Sequence, residues 1–358
     1  TLFPAPTLFR SDHEPRVSTH IAEIVALIEE IVAKGHGYVA ETPKGKDVYF
    51  AVRDFPPYGK LSHRNIDDLL AGARIEPTDV KRDPLDFALW KASAEGEFGW
   101  PSPWGKGRPG WHIECSAMSA KYLGKHCDIH CGGMDLVFPH HENEVAQSES
   151  VWGPDFSRFW LHNGFVNVDS EKMSKSLGNF VTIHDVLERN DAEALRYFLL
   201  GTQYRGPIAF DIHKDEGGRV TFPGVDEAER RVDYLYTTLD SLRRAAAGAT
   251  PAEGPAALKA QAKIVAGARE AVLTALDKDL NTPQALAALA DLAKAGNEIA
   301  TFAIKKKDDA ARALAASAAD VLVAACNPLG ILEAPVETFF ARTRERRLRL
   351  RGLEASAI

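Results

Sequence analysis

Three side chains that suit a metal ion occur in two short segments of the sequence. His140 and Glu144 are four residues apart, and a helix places residues at this spacing on one face. Cys115 can add a thiolate from the other segment, and Pro139 suits the first turn of the required helix. Thiolate, imidazole and carboxylate all suit zinc, and three protein ligands with one open position form a catalytic type of site. These residues predict one zinc ion per chain.

A second set of metal-binding residue types gives an alternative site, formed by His126, Cys127, His130 and Cys131. On a strand, Cys127 and Cys131 would point to one face and the two histidines to the other, which argues against one shared ion. For the His-x-x-x-Glu pair alone, the alternative is an exposed helix with ordinary polar residues. Cys127 and Cys326 are interpreted as small core residues.

A charged loop is predicted at Lys172-Met173-Ser174-Lys175-Ser176. Its two lysines flank small hydroxyl residues, and a lysine is a point charge on a flexible stem. Such a loop can close on a triphosphate and neutralise the charge that grows at the α-phosphate and the pyrophosphate. An ordinary surface loop with two lysines is the alternative, and composition alone does not separate the two.

The elements that would position these groups are predicted from periodicity and turn residues. Apolar residues spaced from Ile21 to Ile28 predict a helix, with Gly35 as its stop. A short strand is predicted at 48–52. A second strand, at 127–130, runs into two glycines and then a helix, as in an α/β nucleotide-binding half. Ala- and Leu-rich helices of a bundle are predicted at 227–246, 256–276, 283–303 and 308–325.

Composition and charge limit the class of protein. The 358 residues are 45% hydrophobic and 26% charged, which suits a globular protein of two or three domains. No apolar run approaches the ~20 residues that span a bilayer, and four cysteines are too few for a disulfide scaffold. We therefore expect a cytoplasmic protein without a membrane partner. The net charge of −7 argues against a surface covered in positive charge. The arginines between 342 and 351 are either a local phosphate contact or a solvated helix face.

Several longer segments resemble one enzyme family. Residues 172–176 are identical to the signature loop of class I aminoacyl-tRNA synthetases. The segments that resemble cysteinyl-tRNA synthetase are 110–118, 132–136, 138–144 and 191–198. The resemblance runs from about residue 14 to residue 286, and more weakly beyond. It implies an α/β fold, namely part of a Rossmann-type class I synthetase catalytic domain followed by a C-terminal α-helical bundle.

The resemblance also implies a division of the chain into four regions. Residues 1–95 would be a connective or insertion region of the catalytic domain, and 96–165 its second Rossmann-type half. Residues 166–225 would carry the signature loop and contact the tRNA stem. Residues 226–358 would form a truncated helical bundle of the anticodon-binding type.

The resemblance implies ligands for zinc and for ATP. Cys115, His140 and Glu144 match three of the family's four zinc ligands. Lys175 matches the signature-loop lysine that contacts ATP, and Lys172 is its partner in catalysis.

The resemblance assigns further residues to the substrates. Trp111 matches the aromatic wall of the amino-acid pocket. Gly133 and Asp135 match the segment that lies against substrate and the adenosine of ATP. His130 and His162 match histidines that the family keeps near its active site, and they are assigned to the substrate pocket.

Two motifs of the family, Cys-Gly-Pro and His-Ile-Gly-His, do not occur in the sequence. In the family, the first supplies the fourth zinc ligand and the histidines of the second hold the ATP phosphates. Position 1 is Thr1 rather than Met. We therefore expect a chain without the N-terminal half of the nucleotide fold, which binds zinc poorly and activates cysteine feebly.

The implied function is that of a cysteine–tRNA ligase. It would activate cysteine with ATP, with Mg²⁺ accompanying the nucleotide, and transfer the cysteinyl group to tRNA(Cys). Zinc would select the thiol of cysteine over the hydroxyl of serine, so editing is not expected. Two alternatives remain: the cysteine ligase of mycothiol biosynthesis, and a catalytically inactive paralogue that binds tRNA or zinc.

Overall fold

The computed structural model describes residues 11–65, 80–168, 171–172, 181–214, 220–250 and 254–353, with backbone only at 171–172. The chain forms two compact units. One is Arg10–Asn163, and Gly164–Ile358 belongs to the other. Among the described residues, every helix is too short or too polar to cross a membrane.

The first unit opens with helix α1 (Ile21–Ala33), at the place where the sequence predicts a helix. Its buried side chains recur every three or four residues and form one apolar stripe: Ile24, Leu27, Ile28 and Ile31. Gly35 follows the helix with a φ of +86°, a backbone conformation that favours glycine. The predicted helix and its stop are therefore confirmed.

Helix α1 packs on a four-stranded antiparallel sheet with the strand order β1-β2-β3-β4. Its strands are β1 (Gly37–Thr42), β2 (Gly45–Phe50), β3 (Phe87–Ala92) and β4 (Gly107–Pro109). Phe50 and Trp90 are fully buried between the sheet and the helices. The sequence predicted only β2 of these strands.

A βαβ unit completes the first unit and follows helix α2 (Trp111–Leu123). Strand β5 (Cys127–Gly133) pairs in parallel with β6 (Ser157–Asn163), and helix α3 (Glu142–Trp152) connects them. A π-helical turn, Val137–His141, leads into α3. Pro139 lies in this turn, so the prediction that it occupies the first turn of the α-helix is wrong.

The second unit begins with a three-stranded sheet in the order β8-β7-β9. It comprises β7 (Val166–Val168), β8 (Glu171–Lys172) and β9 (Ile208–Ala209). Two helices, α4 (Ile183–Leu187) and α5 (Ala192–Leu200), lie between β8 and β9 in the sequence. A short hairpin of β10 (His213–Lys214) and β11 (Val220–Thr221) follows.

Five helices form the rest of the second unit. They are α6 (Pro223–Ala245), α7 (Lys259–Leu276), α8 (Thr282–Lys306), α9 (Asp309–Cys326) and α10 (Val336–Leu350). Four of them fall where the sequence predicts bundle helices, because their alanines and leucines recur at helical spacing. Cys326 is fully buried among these helices, as predicted.

The arginines of α10 bind carboxylates inside the second unit. Arg342 makes two hydrogen bonds to Asp191, of 2.8 and 2.9 Å. Arg346, whose side chain is 10% exposed, contacts Asp191 at 3.1 Å and Glu229 at 2.7 Å. Arg347 also contacts Glu229. The charges of these three arginines are paired within the fold, and the phosphate-contact interpretation stays a prediction.

Candidate functional site

Helices α2 and α3 bring the three predicted metal ligands together. Cys115 lies in α2, Glu144 lies in the first turn of α3, and His140 lies in the π-helical turn just before it. One ligand atom from each residue lies within 4.8 Å of the others. This spacing is close enough for a small adjustment of side chains to place all three on one ion.

Glu144 provides the test of whether these residues fit a cation. Its side chain is fully buried, and neither carboxylate oxygen makes an aligned hydrogen bond within the described part of the chain. The nearest nitrogens are His130 Nε2 at 2.9 Å and His140 Nε2 at 3.7 Å. A buried carboxylate is costly unless it is paired or coordinates a metal, so the donor set fits a zinc ion.

His140 is held by two residues of α2. Its Nδ1 lies 2.8 Å from Nδ1 of His112, which leaves Nε2 facing Glu144. The ring of Trp111 lies 4.3 Å from that of His140, and the Trp111 side chain is 57% exposed. The sequence reasoning missed His112, although its position three residues before Cys115 was a usable signal. A partner on the second ring nitrogen fixes the orientation and tautomer of a metal-binding histidine.

A second group of possible ligands shares Glu144. It is formed with His130 and His141, and the three ligand atoms lie within 4.8 Å of one another. His141 is also 2.8 Å from His162, measured from Nδ1 to Nε2. The structure therefore places His130 and His162 beside the zinc candidate. His141 was missed, and its signal was its place next to His140.

Burial and neighbouring charges set the protonation of this cluster in the metal-free chain. Burial lowers the pKa of His112 to about 4 and that of His141 to about 3, so both rings are neutral at pH 7. Burial and the Glu144 carboxylate raise the pKa of Cys115 to about 12. Burial alone would lower the pKa of His130, but Cys127 and Glu144 raise it to about 9. A cation at Cys115 would reverse the shift of that thiol, because metals bind the thiolate.

The end of strand β5 lies against the histidine cluster. A Cβ atom on Gly132 would come within 2.5 Å of the His141 ring, so only glycine allows this approach. A Cβ on Gly133 would meet the carboxylate of Asp135 at 2.4 Å. Gly133 and Asp135, the two residues predicted to bind ATP, therefore lie close together at the end of the strand.

The two predicted catalytic lysines lie at the edge of what the structure describes. Lys172 is in β8, where its backbone pairs with Asn167, and its side chain is outside the described part. Lys175 is outside the described residues altogether. Their roles stay predictions.

The alternative metal set is not assembled among the described residues. The groups of ligand atoms that could hold an ion contain neither Cys127 nor Cys131. Cys127 is buried, and its thiol contacts the Phe156 carbonyl at 3.5 Å. The interpretation of Cys127 as a core residue is confirmed.

Comparison with known proteins identifies the family. A family profile described as the class I (C) tRNA synthetase catalytic domain matches residues 4–215, and a DALR domain matches residues 271–333. A cysteine–tRNA ligase of Anaeromyxobacter sp. (strain K) is 50% identical over 98% of this chain and 68% of its own length. The chain belongs to the cysteine–tRNA ligases. A ligase of the same family from Nitratidesulfovibrio vulgaris (strain Miyazaki F) is 45% identical over 98% of this chain and 70% of its own length.

Solved structures confirm the fold class of this cysteine–tRNA ligase family member. A methionyl-tRNA synthetase of Mycobacterium tuberculosis, in complex with methionyl-adenylate, superposes with a TM-score of 0.64 at 16% identity. The match covers 92% of this chain and 76% of the other. The chain therefore has the mixed α/β fold of a class I aminoacyl-tRNA synthetase with a C-terminal helical DALR domain.

Proposed function

We propose that this chain uses ATP, accompanied by Mg²⁺, to activate cysteine, and that it transfers the cysteinyl group to tRNA(Cys). The observation that carries the proposal is the convergence of Cys115, His140 and Glu144 in a member of the cysteine–tRNA ligases. The carboxylate of cysteine would attack the α-phosphate of ATP and release pyrophosphate. Neither this step nor the transfer needs a protein nucleophile, so positioning and charge stabilisation dominate.

Selection of cysteine is assigned to the metal centre. Cys115, His140 and Glu144 would hold one zinc ion, and zinc supplies a site that prefers a thiolate to a neutral hydroxyl. His112 holds the His140 ring, and Trp111 forms an exposed aromatic wall over it. A hydrophobic pocket alone separates near-isosteres by only ~10–200-fold. The metal therefore accounts for discrimination against serine without editing.

The nucleotide is assigned to the end of β5 and to the signature loop. Gly133 lets the backbone approach a ligand closely, and Asp135 can accept hydrogen bonds from a ribose hydroxyl. Lys172 and Lys175 would neutralise the charge that develops on the phosphates. His130 and His162, which lie in the buried histidine cluster, would border the amino-acid pocket.

Cysteine-dependent ATP–pyrophosphate exchange tests the proposal, measured on this chain and on its whole reading frame. We expect strong exchange with cysteine and charging of tRNA(Cys) from a reading frame that contains the Cys-Gly-Pro and His-Ile-Gly-His motifs, and feeble exchange from this chain, which lacks them. In Cys115→Ala the preference for cysteine over serine should fall to ~10–200-fold, the range of a pocket without the metal. His126→Ala is the matched control and should behave as the unmodified protein, because its side chain is exposed and its Nδ1 pairs with the Asp155 carbonyl.

Two results would contradict the proposal. Absence of exchange in both proteins would indicate that the chain is an inactive paralogue that binds tRNA or zinc. Transfer of cysteine to glucosaminyl-inositol instead of tRNA would show the mycothiol-pathway ligase.

A further inference from the structure

Glu144 is shared by two groups of metal-binding side chains, and the second group needs neither Cys115 nor His140. Its histidines are His130, on strand β5, and His141, in the π-helical turn that leads into α3. His130 Nε2 lies 2.9 Å from Oε2 of Glu144, and His141 Nε2 lies 4.0 Å from the same oxygen. Two imidazoles and a carboxylate oxygen therefore face one another within the first unit.

The two oxygens of the Glu144 carboxylate face different histidines. Oε1 lies 3.7 Å from Nε2 of His140, whereas Oε2 is the oxygen that faces His130 and His141. Glu144 is fully buried, and neither oxygen makes an aligned hydrogen bond within the described part of the chain. Buried acceptor atoms are normally satisfied. One ion bound at Oε1 would leave Oε2 without such a partner.

His141 is oriented in the same way as its neighbour His140. Nδ1 of His141 lies 2.8 Å from Nε2 of His162, and Nδ1 of His140 lies 2.8 Å from Nδ1 of His112. In both residues Nε2 is left to face Glu144. A metal-binding histidine typically has its second ring nitrogen held by a partner. The orientation of His141 is therefore that of a ligand.

Aromatic side chains surround the second group. The Trp160 ring lies 4.8 Å from that of His130 and 5.3 Å from that of His141, and the Phe156 ring lies 5.5 Å from that of His130. Such a shell limits the access of water. Mg²⁺ and Ca²⁺ prefer oxygen ligands, whereas imidazole suits zinc, copper, iron and nickel. The donor set therefore fits a divalent transition-metal ion.

We propose that His130, His141 and Glu144 bind a second divalent transition-metal ion. The Glu144 carboxylate bridges this ion to the one at Cys115 and His140, with ~3.5–4 Å between the two metals, the usual spacing of two-metal sites. The first ion has two anionic ligands, a thiolate and a carboxylate. The second has only the shared carboxylate, and it is repelled by the first. The second site is therefore weaker and fills after the first.

Equilibrium dialysis of the metal-free chain against increasing zinc, with atomic absorption to count the bound ions, tests the proposal. We expect two ions per chain at saturation, bound in two steps. His130→Gln should bind one, because its amide is a poor metal ligand but can still donate a hydrogen bond to Glu144. His141→Gln is a second variant with the same expected loss. Cys115→Ala should lose the tighter step and keep the weaker one.

His126→Gln is the matched control, because His126 is an exposed histidine just before β5 whose Nδ1 pairs with the Asp155 carbonyl. It should bind two ions, as the unmodified chain does. Circular dichroism of each variant shows whether it is folded. X-ray absorption at the zinc edge should show the ~3.5–4 Å metal–metal distance in the unmodified chain and not in His130→Gln.

Two results would overturn the proposal. One is a single bound ion in the unmodified chain at saturating zinc. The other is two bound ions in both His130→Gln and His141→Gln, which would place the second ion elsewhere on the chain. Counting ions needs no catalysis, so absence of cysteine-dependent exchange would count against the proposed function alone.

Discussion

Two glutamates of α3 show how the same side chain serves two purposes at the residue scale. Glu142 and Glu144 are both fully buried in the first turn of the helix. Glu142 accepts hydrogen bonds from the amides of Gly59, at 2.9 Å, and Ser62, at 2.8 Å. Glu144 has no aligned hydrogen bond among the described residues and faces histidines instead. Glu142 therefore ties a loop to the helix, whereas Glu144 is available to a cation.

Replacing these glutamates one at a time should separate stability from metal binding. In Glu144→Gln we expect zinc binding to be lost, because an amide is a much weaker zinc ligand than a carboxylate. Zinc content after dialysis, measured by atomic absorption, checks this. Glu142→Gln is the matched control on the same helix. It should keep zinc but lose about 1–3 kcal/mol in the free energy of unfolding, because buried amide donors lose a charged partner. Retention of zinc by Glu144→Gln would contradict the assignment of Glu144 as a zinc ligand.

At the scale of single elements, helix α10 is attached to the second unit through its arginines. Arg346 is the most buried of them, with contacts to Asp191 and Glu229. Asp191 also caps α5, because its side chain accepts a hydrogen bond from the Glu193 amide. The position of α10 therefore depends on paired charges as well as on its buried apolar side chains, Val336, Phe339 and Leu348.

Breaking this pairing should loosen α10. We expect Arg346→Met to lower the free energy of unfolding by about 3 kcal/mol. This is the lower end of the range for a broken buried ion pair, because Arg342 and Arg347 still contact the same carboxylates. Arg344→Met, on the exposed side of the same helix, should change it by no more than about 0.5 kcal/mol. Chemical denaturation followed by circular dichroism measures both. Equal effects of the two substitutions would show that the ion pairs do not hold the helix.

The elements of the fold differ in how far they could be predicted from the sequence. Helices α6 to α9 could be predicted because the spacing of their apolar residues is a local feature of the sequence. The spacing of His140 and Glu144 is local in the same way. The sheet of β1 to β4 could not be predicted as a whole, because its pairing joins segments that are distant along the chain. Lys91 and Arg108, for example, become neighbours only when β3 pairs with β4. The contact between His112 and His140 likewise requires the packing of α2 against α3. The pairing of the α10 arginines could not be predicted, because a run of charges in a sequence does not reveal carboxylates that are distant along the chain.

At the scale of the whole molecule, the metal candidate and the helical bundle belong to different compact units. The zinc ligands all lie within Arg10–Asn163, whereas α6 to α10 lie within Gly164–Ile358. A ligand stabilises the unit to which it binds in its folded state. The two units should therefore respond differently to zinc.

Differential scanning calorimetry should show this difference. Zinc at about a hundred times its dissociation constant contributes about 2.7 kcal/mol to the unit that binds it. For a unit of this size, that corresponds to an upward shift of roughly 5–10 °C in one transition. We expect the transition of the bundle to stay in place, and EDTA to reverse the shift. A single transition that moves as a whole would contradict independent unfolding of the two units.

The internal pairing of the α10 arginines also affects how the molecule meets a polyanion. A chain with a formal charge of −7 repels RNA at long range, and Arg342, Arg346 and Arg347 do little to offset this because carboxylates already surround them. Each phosphate that a protein neutralises releases about 0.7–0.9 counterions. Because the three arginines already neutralise carboxylates of the fold, α10 should add little to the salt dependence of RNA binding.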